Sequence, residues 1–149
     1  MVIDVIIPVY NEENSIGKVI AEIPKAWVRN ILVCNNGSTD LTAEKASDAG
    51  AIVLDQPKKG YGNACLKGME YIANTRNYPD IVVFLDGDYS DYPEEMVDIV
   101  QPIIKDNMDL VIGSRALGNM EAGAMMPQQI FGNWLATTLI RWLYNYHFT

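Results

Sequence analysis

The residues of this chain best suited to chemistry are Asp86 and Asp88, separated by Gly87 and following the apolar run Ile81-Val82-Val83-Phe84-Leu85. Side chains two apart on an extended strand point the same way, roughly 6 to 7 Å apart, so two carboxylates at a strand's carboxyl end converge on one point. Hard cations such as Mg²⁺ are commonly held by one or two carboxylates plus substrate phosphates. The mouth of a parallel sheet is also where α/β proteins place ligands. The pair therefore points to a divalent cation and phosphate-ester chemistry. An ordinary turn is the competing reading, because Asp and Gly are favoured after any strand.

The formal charge of −8 strengthens the case for a cation. Two like unit charges about 6 Å apart repel by about 3 kcal/mol at an effective dielectric of ~20, so a diphosphate beside Asp86 and Asp88 needs a bridging metal. The same charge argues against nucleic acid as a partner, since its backbone demands Lys/Arg patches. Cys34 and Cys65 show no zinc-type spacing and read as reduced packing residues. Met1 leads directly into a strand-like segment without signal-peptide features, and no apolar run approaches ~18 residues, so a cytoplasmic chain without a membrane span is expected.

The elements that must position the acidic pair alternate along the chain. Val2 to Ile7, Ile31 to Val33, Ile52 to Leu54, Ile81 to Leu85 and Leu110 to Ile112 read as continuously apolar strands, buried on both faces. Ile16, Val19, Ile20 and Ile23, and later Met96, Ile99, Val100, Ile103 and Ile104, have the spacing of core-facing helices. Weaker helical patterns cover Thr42 to Asp48 and Asn63 to Ala73, the latter with Leu66, Met69 and Ile72 on one side. This order predicts an α/β fold, a mostly parallel, doubly wound sheet with helices on both faces. With 149 residues, 49% of them hydrophobic, one core and a single domain over 1–149 are expected. Gly118 to Pro127 reads as a loop. Gln128 to Thr149 reads as a helix apolar nearly all round, either buried or lying at a membrane interface with Arg141 toward headgroups.

Loops at one edge of a parallel sheet build one site, and every strand end on the Asp86 edge carries polar or turn residues. Tyr10 offers a flat face to a nucleobase, and Asn35 and Asn36 offer amides to base or ribose, or else simply form a turn before a helix. Gly60 and Gly62 allow close backbone approach to a ligand. They do not complete a dinucleotide fingerprint, because no glycine stands three residues after Gly62.

Taken together and in this order, Ile7-Pro8-Val9-Tyr10-Asn11-Glu12, Asn36-Gly37-Ser38-Thr39-Asp40, Lys59-Gly60-Tyr61-Gly62-Asn63-Ala64, Asp86-Gly87-Asp88 and Gly113-Ser114-Arg115 resemble the family 2 inverting glycosyltransferases. The nearest branch is similar to the polyprenyl-phosphate (dolichol-phosphate) mannose or glucose synthases of cell-envelope glycan biosynthesis. The resemblance implies a GT-A fold, a UDP- or GDP-sugar donor, Mg²⁺ or Mn²⁺ on Asp86 and Asp88, and a polyprenyl or dolichyl phosphate acceptor. It places Pro8, Tyr10, Asn11, Glu12, Asn35, Asn36, Gly37, Gly60, Gly62, Asn63 and Gly87 around the donor, and Arg115 near a donor or acceptor phosphate. It further implies peripheral contact with the cytoplasmic face of a membrane.

Many relatives carry acidic residues in place of Asn35-Asn36, so base selectivity does not transfer. Some relatives supply an extra metal ligand where Ser90 stands, which leaves coordination by Ser90 or Asp91 open. Catalytic domains of the family also run well past residue 149, so a C-terminally truncated domain is expected, its donor part complete.

A lipid phosphate is already anionic and needs positioning more than a general base. An alcohol acceptor such as a saccharide hydroxyl would need a base, for which Glu121 is a candidate, whereas His147 reads as structural. Two rival readings are a non-catalytic nucleotide-sugar-binding fragment and a haloacid-dehalogenase-type phosphatase. The latter places its nucleophilic Asp after the first strand, whereas Asp86 follows the fourth.

Overall fold

The computed structural model describes residues 1–113 and 127–144. The chain divides into two compact units, Met1–Val111 and Ile112–Thr149. In the first, β1 (Ile3–Val9), β2 (Asn30–Asn35), β3 (Ile52–Asp55) and β4 (Ile81–Phe84) form one parallel sheet in the order β3-β2-β1-β4. Val5 stands opposite both Ile31 and Val83, which fixes the register at the centre. β1 is buried along its whole length, while β3 and β4 are only partly buried. Continuous apolarity thus marks two-sided burial at the centre of this sheet and less of it at the edges.

Alternation along β1 feeds two cores. Ile3, Val5, Ile7 and Val9 pack with Ile16, Val19 and Ile20 of α1 (Ile16–Glu22), Ala46 of α2 (Thr42–Asp48), and Met96 and Val100 of α4 (Met96–Asp106). Ile6 points the other way and joins Leu32, Cys34, and Ala64 and Ile72 of α3 (Tyr61–Ala73). Helices therefore lie on both faces, as the doubly wound reading expects. Each fully buried Ile, such as Ile6 or Ile20, contributes roughly 1.5 to 3 kcal/mol of transfer free energy.

Two expectations need correction. Leu110 to Ile112 is not a strand but irregular chain, with Leu110 and Ile112 about three-quarters exposed. A three-residue apolar run becomes a strand only by pairing with a neighbour, and the boundary between the two units falls within it. On α3, Leu66 and Met69 are exposed and the inward positions are Ala64, Gly68 and Ile72. The helix sits so close to β1 that a Cβ on Gly68 would meet Ile6 Cγ2 at 2.8 Å, so small residues rather than Leu or Met form the contact.

Asp4 is fully buried at the amino end of β1. It accepts hydrogen bonds from Arg29 Nε (3.0 Å) and Nη2 (2.5 Å) and from Asn30 Nδ2 (3.1 Å). Arg29 Nη1 also donates to the Asn77 carbonyl at 2.7 Å. The bidentate fork offsets the cost of burying the carboxylate.

In the second unit, α5 (Pro127–Tyr144) realises the expected terminal helix. Phe131, Trp134, Leu139 and Trp142 are exposed along it. Among the described residues no helix is long and apolar enough to cross a membrane.

Candidate active site

The chain order of the sheet creates a crevice. β1 to β3 are laid down in one direction, and β4 then returns to the other side of β1, so the loops after β1 and β4 part at their carboxyl ends. A pocket of ≈ 330 Å³ lies there. Its lining comes from Pro8, Val9, Tyr10 and Glu12 after β1, Asn36 after β2, Tyr61 and Ala64 on α3, and Asp86, Gly87 and Asp88 after β4.

The two carboxylates reach the pocket by a different route from the expected strand pleat. β4 ends at Phe84, and Asp86 to Tyr89 form an irregular turn. Gly87 seats this turn: a Cβ there would lie 2.7 Å from Val9 Cγ1 and 3.5 Å from the Pro8 carbonyl oxygen, so only glycine fits against β1. Asp86 Oδ1 accepts a hydrogen bond from the Tyr61 hydroxyl (3.1 Å), and Asp88 Oδ1 accepts one from the Ser90 N–H (2.9 Å). The second oxygen of each carboxylate has no hydrogen bond among the described residues. Both side chains are exposed, and the oxygen donor set suits a hard divalent cation completed by phosphate and water. Among the described residues no three or more His, Cys, Asp or Glu groups are placed to hold a metal ion together.

Burial pushes the Tyr61 phenol up to about 12, with the Asp86 charge and hydrogen bond adding to it. It therefore remains a donor to Asp86 at neutral pH. Tyr61 was not among the residues expected at the site; its signal was an aromatic residue between Gly60 and Gly62 at a helix start. Gly60 itself has φ 123°, a conformation that side chains disfavour.

The asparagines turn out to close loops. Asn36 donates both amide protons, to the Gln56 and Lys58 carbonyls (3.0 and 2.8 Å), and accepts from the Gly60 N–H at 2.6 Å. Asn35 donates to Asp55 Oδ1 and accepts from the Ser38 N–H, both at 3.0 Å. Asn11, with φ 58°, accepts from the Thr39 N–H at 2.9 Å while its own N–H donates to Ser38 Oγ at 3.0 Å. Of these only Asn36 lines the pocket, and both of its amide protons are taken, which leaves its side-chain oxygen one further acceptor position. Asn11, Asn35, Gly37, Gly60, Gly62 and Asn63 lie in the adjoining loops and helix start and are not among the residues that line the pocket. Hydrogen bonds between neighbouring loops stiffen this wall of the pocket.

Tyr10 is half exposed in the pocket, and the Lys59 ammonium lies 5.1 Å from its ring centroid, a cation–π contact. Cys34 and Cys65 are free; burial pushes the Cys34 thiol up to about 11 and also raises Cys65, which suits packing residues. Ser114, Arg115, Glu121 and His147, and the expected loop from Gly118, lie outside the described residues.

The sequence profile described as Glycosyl transferase family 2 matches residues 4–149. The chain is 38% identical over 117 residues to the protein RfbJ of Shigella flexneri, covering 76% of this chain and 84% of that one. It is 38% identical over 112 residues to a dolichyl-phosphate hexose transferase of Haloferax volcanii, covering 74% of this chain and 46% of that one. The crystal structure of glucosyl-3-phosphoglycerate synthase from Mycobacterium tuberculosis, in complex with Mn²⁺, UDP and glucosyl-3-phosphoglycerate, matches with a TM-score of 0.61 at 29% identity, over 70% of this chain and 40% of that one. The chain spans less than half the length of the latter two proteins. With a profile match over nearly its whole length and a parallel sheet like that of the solved relatives, the chain belongs to glycosyl transferase family 2.

Proposed function

We propose that residues 1–149 carry the donor-binding part of a metal-dependent inverting hexosyltransferase that uses a UDP- or GDP-sugar and a polyprenyl or dolichyl phosphate acceptor. The observation that carries this reading is the convergence of Asp86, Asp88 and Tyr10 on one pocket at the switch point of the sheet. The Mn²⁺ and UDP named for the solved relative support the donor side, and the name of the Haloferax relative supports a lipid-phosphate acceptor.

In this reading Tyr10 stacks on the nucleobase, while Pro8, Glu12 and the loop closed by Asn36 shape the nucleoside end. Asp86 and Asp88 receive the diphosphate through Mg²⁺ or Mn²⁺. A cation bound there would stabilise the departing nucleoside diphosphate. Tyr61 orients Asp86 by its hydrogen bond, and Arg115 is assigned a donor or acceptor phosphate, which its planar fork suits. An anionic lipid phosphate attacks the sugar C1 in line and needs no general base. The enzyme would then work at the cytoplasmic face of a membrane.

Calorimetry with UDP-, GDP- and dTDP-sugars, each in Mn²⁺ and in EDTA, tests the reading. Binding of at least one donor is expected to require Mn²⁺ and to vanish in Asp88→Ala. Equal affinity in Mn²⁺ and EDTA would refute it.

A further inference from the structure

We propose that Tyr89 is a positioning residue for Asp88, tying the turn that carries this carboxylate to one face of α1. The proposal rests on the reading of Asp86 and Asp88 as the metal-diphosphate pair. Tyr89 directly follows Asp88 and has φ 62°, a left-handed backbone in which a bulky residue is an outlier and glycine would be at ease. Local preference therefore does not explain a tyrosine here.

Its side chain does. The Tyr89 hydroxyl donates to Glu22 Oε1, and the Lys18 ammonium lies 5.8 Å from the ring centroid. Lys18 and Glu22 are four residues apart on α1, so a carboxylate and a cation face the same ring from one side of the helix. That helix is itself fixed, because Ile16, Val19 and Ile20 are fully buried. The other end of the turn is closed by the hydrogen bond from Ser90 N–H to Asp88 Oδ1. A series of fixed points thus runs from the core through α1 and Tyr89 to Asp88.

Gly87 packs the start of the turn against β1, but Asp88 and Ser90 beyond it are exposed, and without such a tether they would sample several arrangements and lose that freedom at each binding event. With the tether, the ordering is done before the ligand arrives. Tyr89 is 41% exposed, so its removal opens no cavity in the core. Its effect should fall on metal-dependent affinity and not on folding.

The test uses the full 149-residue chain with UDP and GDP as probes, in Mn²⁺ and in EDTA, together with hydrogen exchange across residues 86–90 before any nucleotide is added. Tyr89→Gly relieves the backbone but cuts the tether. It is expected to lower Mn²⁺-dependent affinity about tenfold, the lower end of the scale of one hydrogen bond to a charged group, and Tyr89→Phe and Glu22→Gln about threefold, since each keeps part of the contact. Affinity in EDTA and the urea midpoint should stay unchanged, and exchange should rise in Tyr89→Gly and Glu22→Gln. Wild-type exchange and wild-type Mn²⁺-dependent affinity in Tyr89→Gly would overturn the proposal. If only Asp88→Ala loses the Mn²⁺-dependent increment, the tether is refuted and the reading of the acidic pair stands. If Asp88→Ala binds like wild type, that reading fails, while the exchange data still decide whether the tether exists.

Discussion

Gly87→Ala is the sharpest single perturbation of this site. The new methyl would lie 2.7 Å from Val9 Cγ1, against an ordinary carbon–carbon contact of about 3.5 to 4.0 Å, so about 1 Å must be recovered by moving either the turn or β1. β1 is the central strand and Val9 is buried, so the turn should yield. Overpacking of this kind costs about 1 to 3 kcal/mol, read as a lower urea midpoint. Because Asp86 and Asp88 flank Gly87, the displacement also enters the pocket, where a misplacement of about 1 Å can cost up to ~100-fold. Mn²⁺-dependent nucleotide affinity should therefore fall by at least about tenfold. Val9→Ala alone should cost about 1.5 kcal/mol at ~0.8 kcal/mol per buried carbon. In the double variant the offending Cγ1 is gone, so the two losses should fall short of additivity by at least about 1 kcal/mol. A strictly additive double variant, or a Gly87→Ala protein as stable and as strong a binder as wild type, would refute the argument.

The other expectations concern the walls of the pocket. Asn36→Ala strands the Gln56 and Lys58 carbonyls and the Gly60 N–H, so the loop should loosen at a cost of about 1 to 3 kcal/mol and trypsin should cut faster after Lys58 and Lys59; an unchanged cleavage rate would contradict it. The Tyr61 phenol is raised in the folded chain from its ordinary value of 10 to about 12. The stability tied to its neutral form is therefore fully present below pH 10 and is lost as pH rises toward 12. Urea midpoints of wild type should fall more steeply than those of Tyr61→Phe across that window, and parallel curves would contradict it.

The layout of the central sheet was legible because β1 and β2 are apolar on both faces and α1 repeats Ile16, Val19 and Ile20 at helical spacing. Leu110 to Ile112 shows where that signal fails. Apolarity says that a segment gains by burial, but a strand also needs a free edge to pair with. On α3 the misreading has a different cause: large apolar residues mark a contact only when helix and sheet stand at ordinary distance, and Gly68 against Ile6 is closer than that. The loops were legible as a group, since the lining residues do come from strand ends on the Asp86 edge. Individual roles were less so, because an Asn that closes a turn and an Asn that reads a base look the same in sequence. Asn35, Asn36 and Asn11 each take a partner 20 to 28 positions away, which the sequence alone does not reveal.

The ion pair between buried Asp4 and the more exposed Arg29 bears on how this protein can change. It fastens the amino end of β1, while Pro8, Val9 and the turn against Gly87 occupy the carboxyl end of the same strand. Stability and chemistry are thereby invested at opposite tips of one rod. Substitutions that retune the nucleoside end of the pocket, at Tyr10 or Glu12, leave the anchor untouched, so new donor preferences can be sampled without first spending the fold. Loss of Arg29 would do the reverse: it leaves a carboxylate uncompensated at the far tip and threatens the whole sheet while altering no residue that lines the pocket.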